Sequence, residues 1–139
     1  MFNALDETPP LVTIFGGAGY IGSVLTRQLL AEGYRVRVFD NFMFGNDGIK
    51  DIDSPMFEIY QADMTDVHAV SNAIEGSETV ILLTAVIGHR FSNLDRSDIR
   101  SINLLASSVV LDACLEHGVS RFIFASGNSG TRSERVKDQ

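Results

Sequence analysis

Val12-Thr13-Ile14-Phe15-Gly16-Gly17-Ala18-Gly19-Tyr20-Ile21-Gly22 is the stretch on which the fold turns. Val12 to Phe15 suit a buried strand. Glycines at G-x-x-G-x-x-G spacing follow it. Ile21, Val24, Leu25 and Leu29 then recur at helical spacing, and Gly33 ends the run. The order is strand, tight turn, helix. Gly16 lets the chain turn at the strand end, Gly19 lets backbone come close to a phosphate, and Gly22 lets the helix pack tightly on the strand. The unpaired amides that open the helix, Tyr20 and Ile21 among them, favour an anion, and the helix dipole adds to this.

A second strand, Arg35-Val36-Arg37-Val38-Phe39, ends in Asp40. An acid about twenty residues past such a turn completes the dinucleotide pattern. Its carboxylate accepts hydrogen bonds from both hydroxyls of an adenosine ribose and repels a 2′-phosphate. Asn41, not an arginine, comes next. The expected cofactor is therefore NAD rather than NADP. A glycine turn that bound nothing would leave Asp40 without a packing purpose. Methyltransferases that bind S-adenosylmethionine also combine a glycine turn with an acid after the second strand, but their glycines are more tightly spaced.

The rest of the composition narrows the class. The chain has 139 residues, 45% of them hydrophobic, and a net charge of −7. That predicts one Rossmann domain over residues 11–126, between flexible tails at 1–10 and 127–139. The acidic balance argues against a nucleic-acid partner. No apolar run reaches membrane-spanning length, and Met1 to Pro10 lack the basic and apolar regions of a secretory signal. One cysteine forms no internal disulfide, so a cytoplasmic location is expected by default.

Further elements follow in order. Met56 to Gln61 read as a third strand, ended by Ala62-Asp63. Thr65 is expected to cap a short helix with Val67, Val70, Ala73 and Ile74 as its apolar side and Gly76 as its stop. Val80-Ile81-Leu82-Leu83 is apolar throughout, as in a central parallel strand covered on both faces, and ends at Thr84-Ala85. The longest helix runs from Asp95 or Ser97 to His117, with Ile99, Ile102, Leu105, Ala106, Val109 and Ala113 as its stripe. His117 is placed at the negative end of that helix's dipole, and Gly118 caps it. Arg121 to Ala125 form a fifth strand. The predicted fold is α/β: a doubly wound parallel sheet of five strands in order 3-2-1-4-5, between two helical layers. Asp40, Asp63, Thr84 and Ser126 then all fall on the carboxyl edge of the sheet.

With those residues placed, the chain resembles the cofactor-binding part of the extended short-chain dehydrogenase/reductase family, and more narrowly its NAD-dependent epimerase/dehydratase group, which acts on nucleotide sugars. The matching pieces are Gly16 to Gly22, Asp40-Asn41, Ala62-Asp63-Met64-Thr65-Asp66, Val80 to Ala85, Ile102-Asn103, and Gly118 to Ser126. The resemblance implies that Asp63 accepts from the adenine amino group with Met64 flanking the ring. It implies that Leu83, Thr84 and Ala85 line the nicotinamide side through their backbone. Asn103 matches an asparagine kept near the active site on the long helix.

The departures bear on activity. The family's chemistry uses a Tyr-x-x-x-Lys pair. Tyr20, Tyr34 and Tyr60 are the tyrosines here, and none has lysine four residues on. The family's Ser or Thr after the fifth strand aligns with Gly127, leaving Ser126 and Asn103 as active-site neighbours only. The chain reads as one that stops or changes frame after Ala125-Ser126, so no catalytic residue is assigned. The expected function is the NAD-binding domain of such an oxidoreductase, inactive alone, which meets a nucleotide sugar only with a missing half. The alternative is a non-catalytic NAD-binding sensor or partner module. A homodimer or aggregation through the fifth strand's edge is also expected.

The remaining side chains have plainer readings. Phe42 and Phe44 either form a small cluster under their loop or wall the adenosine pocket. His89 and Arg90 are solvated or contact a phosphate. His68 lies on a helix surface. The three histidines make no metal-ligand spacing. Cys114 is a small core residue, and Arg35 and Arg37 are expected to snorkel from a sheet face.

Overall fold

The computed structural model describes residues 8–84 and 96–125. Five strands form one parallel sheet: β1 Leu11–Phe15, β2 Arg35–Asp40, β3 Phe57–Gln61, β4 Thr79–Leu82 and β5 Arg121–Phe124. Their order across the sheet is β3-β2-β1-β4-β5, as the sequence predicts. Three helices connect them: α1 Tyr20–Ala31, α2 Val67–Ile74 and α3 Arg96–Glu116. The central register runs Phe15 beside Phe39 on one side and beside Leu82 on the other.

The central strands β1 and β4 are apolar at nearly every position because both of their faces are covered. Alternation divides each strand between two cores. Val12, Ile14, Val36, Val38 and Ile81 pack with Ile49 and, from α1, Leu25, Leu29 and Leu30. Phe15, Phe39, Val80 and Leu82 pack with Val70, Ala73 and Ile74 of α2 and Val110, Ala113 and Cys114 of α3. The Phe15 and Phe39 rings meet at 4.7 Å between centroids, tilted by 35°.

The helix faces differ from the expected stripes. On α1, Gly22 and Thr26 are buried, whereas Ile21 and Val24 are exposed. The helix makes its closest approach at Gly22, which turns the face toward 22, 26 and 29 and swings Ile21 and Val24 outward. On α3, Leu105 is exposed, and Val110 and Cys114 join Ala106 and Ala113 inside. Small residues at 106, 113 and 114 let α3 sit close to the sheet, and Leu105 is too far round the helix to reach it. Val67 of α2 is also exposed. Asp66, not Thr65, caps α2: its carboxylate accepts from the Ala69 N–H at 3.0 Å.

Thr13, Ser77 and Arg37 are polar side chains buried on the α2–α3 side of the sheet. Thr13, in the middle of β1, bonds the Ala73 carbonyl at 3.2 Å and the Ser77 hydroxyl at 2.7 Å. Arg37 does not snorkel; it is buried. Its Nη1 donates to the carbonyls of Ala73 (2.7 Å) and Glu75 (2.9 Å), and its Nε donates to Glu58 (2.8 Å). The guanidinium also lies 5.0 Å from the Tyr60 ring centroid. It thereby meets the negative end of the α2 dipole with a fixed positive charge. Arg35 lies on the more open side of Glu58 at 3.6 Å. His117 follows α3 and shares a 2.9 Å hydrogen bond with Ser71 of α2, so its role there is a link between two helices.

Candidate functional site

The glycine turn joins β1 to α1 at the carboxyl edge of the sheet. Gly16 has φ +83, a left-handed conformation that favours glycine. A Cβ on Gly22 would collide with the Gly16 carbonyl and the Gly17 backbone, so the helix rests directly on the turn. Gly17, to which the spacing rule gives no task, is as tightly held: its Cβ would stand 2.5 Å from Val38 Cγ2. Gly19 differs from these. A Cβ there would touch only the Gly16 carbonyl, at 3.3 Å, so its open side faces outward. Gly19 caps α1 with no side-chain hydrogen bond, and the first turn carries no acid. The amides of Tyr20, Ile21 and Gly22 are thus left to an outside acceptor. Tyr20 and Ile21 point their side chains to solvent, so what they offer the cleft is backbone.

Asp40 ends β2 beside this turn. Its Oδ2 accepts from the Ala18 N–H at 3.0 Å, and its Oδ1 accepts from the Phe42 N–H at 2.9 Å. Each carboxylate oxygen keeps a second acceptor direction open. The carboxylate therefore ties the glycine turn to the end of β2 and can still receive two hydroxyls. Phe42 sits at φ +56, unusual for a residue with a side chain. The Asp40 contact at its N–H and a bond from Gly45 N–H to its carbonyl hold it there. Its ring packs half-buried under the loop against the α1-side core, whereas Met43 and Phe44 are exposed. The two phenylalanines thus divide: Phe42 belongs to the loop cluster, and Phe44 does not.

Asp63 lies two residues past β3. Thr65 closes an Asx turn on it: the Thr65 N–H (2.8 Å) and hydroxyl (2.7 Å) both donate to Asp63 Oδ1. These bonds hold the Asp63 carboxyl below its ordinary range; slight burial opposes them, and the Asn41 side chain adds a smaller push in the same direction. Asn41, which also accepts from the Met43 N–H at 3.0 Å, thereby links the ends of β2 and β3. Met64 is half-buried at the margin of the α2–α3 core. The Thr65 hydroxyl, taken from the sequence as a helix cap, serves Asp63 because Asp66 is one residue nearer to the helix.

On the other side of β1, Leu83 donates its N–H to the Phe15 carbonyl at 2.9 Å and packs in the α1-side core. Thr84 is exposed and lies against Gly16. Asn103 is half-buried about two turns into α3, and its carbonyl accepts from the Ser107 hydroxyl at 2.7 Å. Ala85, His89, Arg90, Ser126 and the residues after it lie outside the described residues. The structure thus brings Gly16 to Gly22, Asp40, Asn41, Asp63 and Thr84 to one edge. Cys114 is not among them: it is buried in the core, and burial pushes its thiol up to about 11.

This edge, with backbone amides at a helix start, a glycine cradle and an acid at the end of β2, fits a dinucleotide. The family model described as NAD dependent epimerase/dehydratase matches residues 12–131. The chain belongs to that family. Members of this family depend on NAD. The chain is 30% identical over 122 residues to a 3β-hydroxysteroid dehydrogenase/Δ5→4-isomerase of Mycobacterium tuberculosis, covering 85% of this chain and 32% of that protein. It is 31% identical over 115 residues to a UDP-glucose 4-epimerase of Corynebacterium glutamicum, covering 81% and 33%. Among solved structures, the Thermus thermophilus UDP-glucose 4-epimerase in complex with NAD superposes with a TM-score of 0.71 at 28% identity, over 90% of this chain and 42% of that one. The epimerase Mth375 of Methanothermobacter thermautotrophicus shares the fold, with a TM-score of 0.81 at 24% identity over 94% and 40%. The chain spans about a third of the length of these curated relatives.

Proposed function

We propose that this chain is the NAD-binding portion of an epimerase/dehydratase-type oxidoreductase whose substrate is a nucleotide sugar. The observation that carries this reading is the double contact of Asp40, which sets a ribose acceptor directly beside an uncapped helix start. The amides that open α1 hold the pyrophosphate. Asp40 takes the adenosine ribose hydroxyls. Asp63 turns the remaining acceptor capacity of its carboxylate to the adenine amino group, and Met64 flanks the ring. The backbone at Leu83, Thr84 and Ala85 lines the nicotinamide side, and Asn103 with Ser126 neighbours the reacting centre. NAD, when bound, supplies a hydride acceptor.

The nucleotide-sugar assignment leans on relatives such as the Corynebacterium glutamicum epimerase. The Mycobacterium tuberculosis relative favours a second substrate class, a hydroxysteroid. These 139 residues alone do not turn substrate over, because they contain no Tyr-x-x-x-Lys pair. A positioned acid/base contributes about 10²–10⁴-fold to rate. The alternative is a non-catalytic NAD-binding module. The chain also self-associates: among the described residues β5 is the outer strand, with Ile123 and Phe124 exposed, and a second copy pairs with that edge. Light scattering that gave a monomer at high concentration would overturn this last point.

Amide shift mapping with NAD⁺ tests the site. The expected changes fall on Gly17 to Ser23, Asp40 to Phe42 and Asp63 to Thr65. Changes confined to α3 and β5 would refute the placement.

A further inference from the structure

The residues assigned to the adenosine half, Asp40, Asn41 and Asp63, all lie on the β2–β3 side of β1. On the β4 side, just past the end of that strand, Thr84 carries an exposed hydroxyl. It follows four apolar residues, Val80 to Leu83, that the two cores consume entirely. Thr84 itself is exposed, so packing makes no demand on its hydroxyl. It nonetheless lies close to the glycine turn. A Cβ added to Gly16 would lie 2.7 Å from Thr84 Oγ1 and 3.1 Å from its backbone nitrogen, so the hydroxyl is held against the glycine turn. This is the point where the strand order reverses, with β2 on one side of β1 and β4 on the other. A dinucleotide with its pyrophosphate over the turn and its adenosine toward Asp40 must run its second half across Thr84.

We propose that the Thr84 hydroxyl donates a hydrogen bond to an oxygen acceptor on the nicotinamide half of the bound dinucleotide, and so makes the site prefer whole NAD to its adenosine half. The proposal rests on the reading of this edge as an NAD site. It differs from the backbone lining described above, because it gives a function to the side chain. A threonine fits where valine would match its shape and pack as well, and the hydroxyl is what distinguishes them.

The test titrates ADP, ADP-ribose and NAD⁺ into the full 139-residue chain, the Thr84→Val variant and the Thr84→Ser variant. Thermal midpoints check that each variant is folded. Thr84→Val should weaken NAD⁺ by about three- to tenfold, the range of one hydrogen bond, and leave ADP within about twofold. Thr84→Ser, which keeps the hydroxyl, should bind NAD⁺ within about twofold of the parent. Equal losses for ADP-ribose and NAD⁺ would place the acceptor on the distal ribose. A loss for NAD⁺ alone would place it on the carboxamide. Unchanged NAD⁺ affinity in Thr84→Val, an equal loss for ADP, or an equal loss in Thr84→Ser would overturn the proposal. If the parent chain binds ADP but gains nothing from the second half, this proposal fails and the adenosine site stands. If the folded parent binds none of the three, the underlying site reading fails, and the proposal falls with it.

Discussion

Replacing Asp40 by alanine should destabilise the chain even when no nucleotide is present. The carboxylate accepts from two backbone N–H groups, Ala18 at 3.0 Å and Phe42 at 2.9 Å, and both contacts are part-buried. Removing the acceptor leaves two donors that water reaches incompletely. A buried donor left without a partner costs about 1–3 kcal/mol. Partial solvent access puts each of these at the low end, so the sum is about 2–3 kcal/mol. For a chain of this size about 1 kcal/mol moves the thermal midpoint by roughly 3–4 °C, so the expected drop is about 6–12 °C. Asp40→Asn keeps one acceptor oxygen but turns an NH₂ toward the other N–H, so its drop should be smaller. The assay is thermal unfolding followed by circular dichroism without nucleotide, which removes any contribution from ribose binding. A midpoint for Asp40→Ala within about 1–2 °C of the parent would refute the claim that this acid braces the glycine turn. It would reduce Asp40 to a ligand contact alone.

The other predictions concern packing, charge and reactivity. Gly17→Ala should cost about 1–3 kcal/mol, because its Cβ would meet Val38 Cγ2 at 2.5 Å. Combining it with Val38→Ala should destabilise less than the sum of the two single changes, and additive denaturation energies would contradict the contact. Arg37→Met strips Glu58 of its closer partner, leaves the Glu75 carbonyl without its side-chain donor and leaves the Ala73 carbonyl with only the longer Thr13 bond; urea unfolding should show a loss of about 2–4 kcal/mol. The Asp63 carboxyl is depressed in the folded state, so the unfolded chain binds more protons as pH falls past the ordinary value of 3.8. Its stabilising contribution is complete above that value and is lost as pH drops through the folded one, so Asp63→Asn should show a shallower loss of stability below about pH 4. Cys114 is buried with its thiol pushed up to about 11, so at pH 8 a thiol reagent should label it slowly in the native chain and rapidly in denaturant.

The sheet order, and with it the edge that holds the candidate site, were legible because local signals agreed. An apolar strand, a glycine turn, a helical period and an acid-ended second strand each point to the same doubly wound path. Helix faces were harder to read. Ile21 and Val24 match the helical period as well as Leu25 does, and only the contact of Gly22 with the turn decides which face is inward. Arg37 was misread for a related reason. A charged residue in a strand ordinarily reaches for water, and nothing local shows that the end of α2 and Glu58 will arrive to receive it. Gly17 and Thr13 carry interactions that depend on partners 21 or more positions away, Val38 for the one and Ala73 and Ser77 for the other. The Asp63–Thr65 turn had a local signal, the Asp-x-Thr spacing, but it competed with the equally local reading of Thr65 as a helix cap. The link between Asn41 and Asp63 had none, since it exists only once β2 and β3 pair.

Calorimetric titration of NAD⁺ and NADP⁺ into the 139-residue chain tests the central claim most directly. Asp40 at the end of β2, with Asn41 next to it, predicts saturable binding of NAD⁺ at one site and NADP⁺ affinity lower by about tenfold or more, the cost of a 2′-phosphate set against a carboxylate. A folded chain that bound neither nucleotide, or that bound NADP⁺ as tightly as NAD⁺, would contradict it.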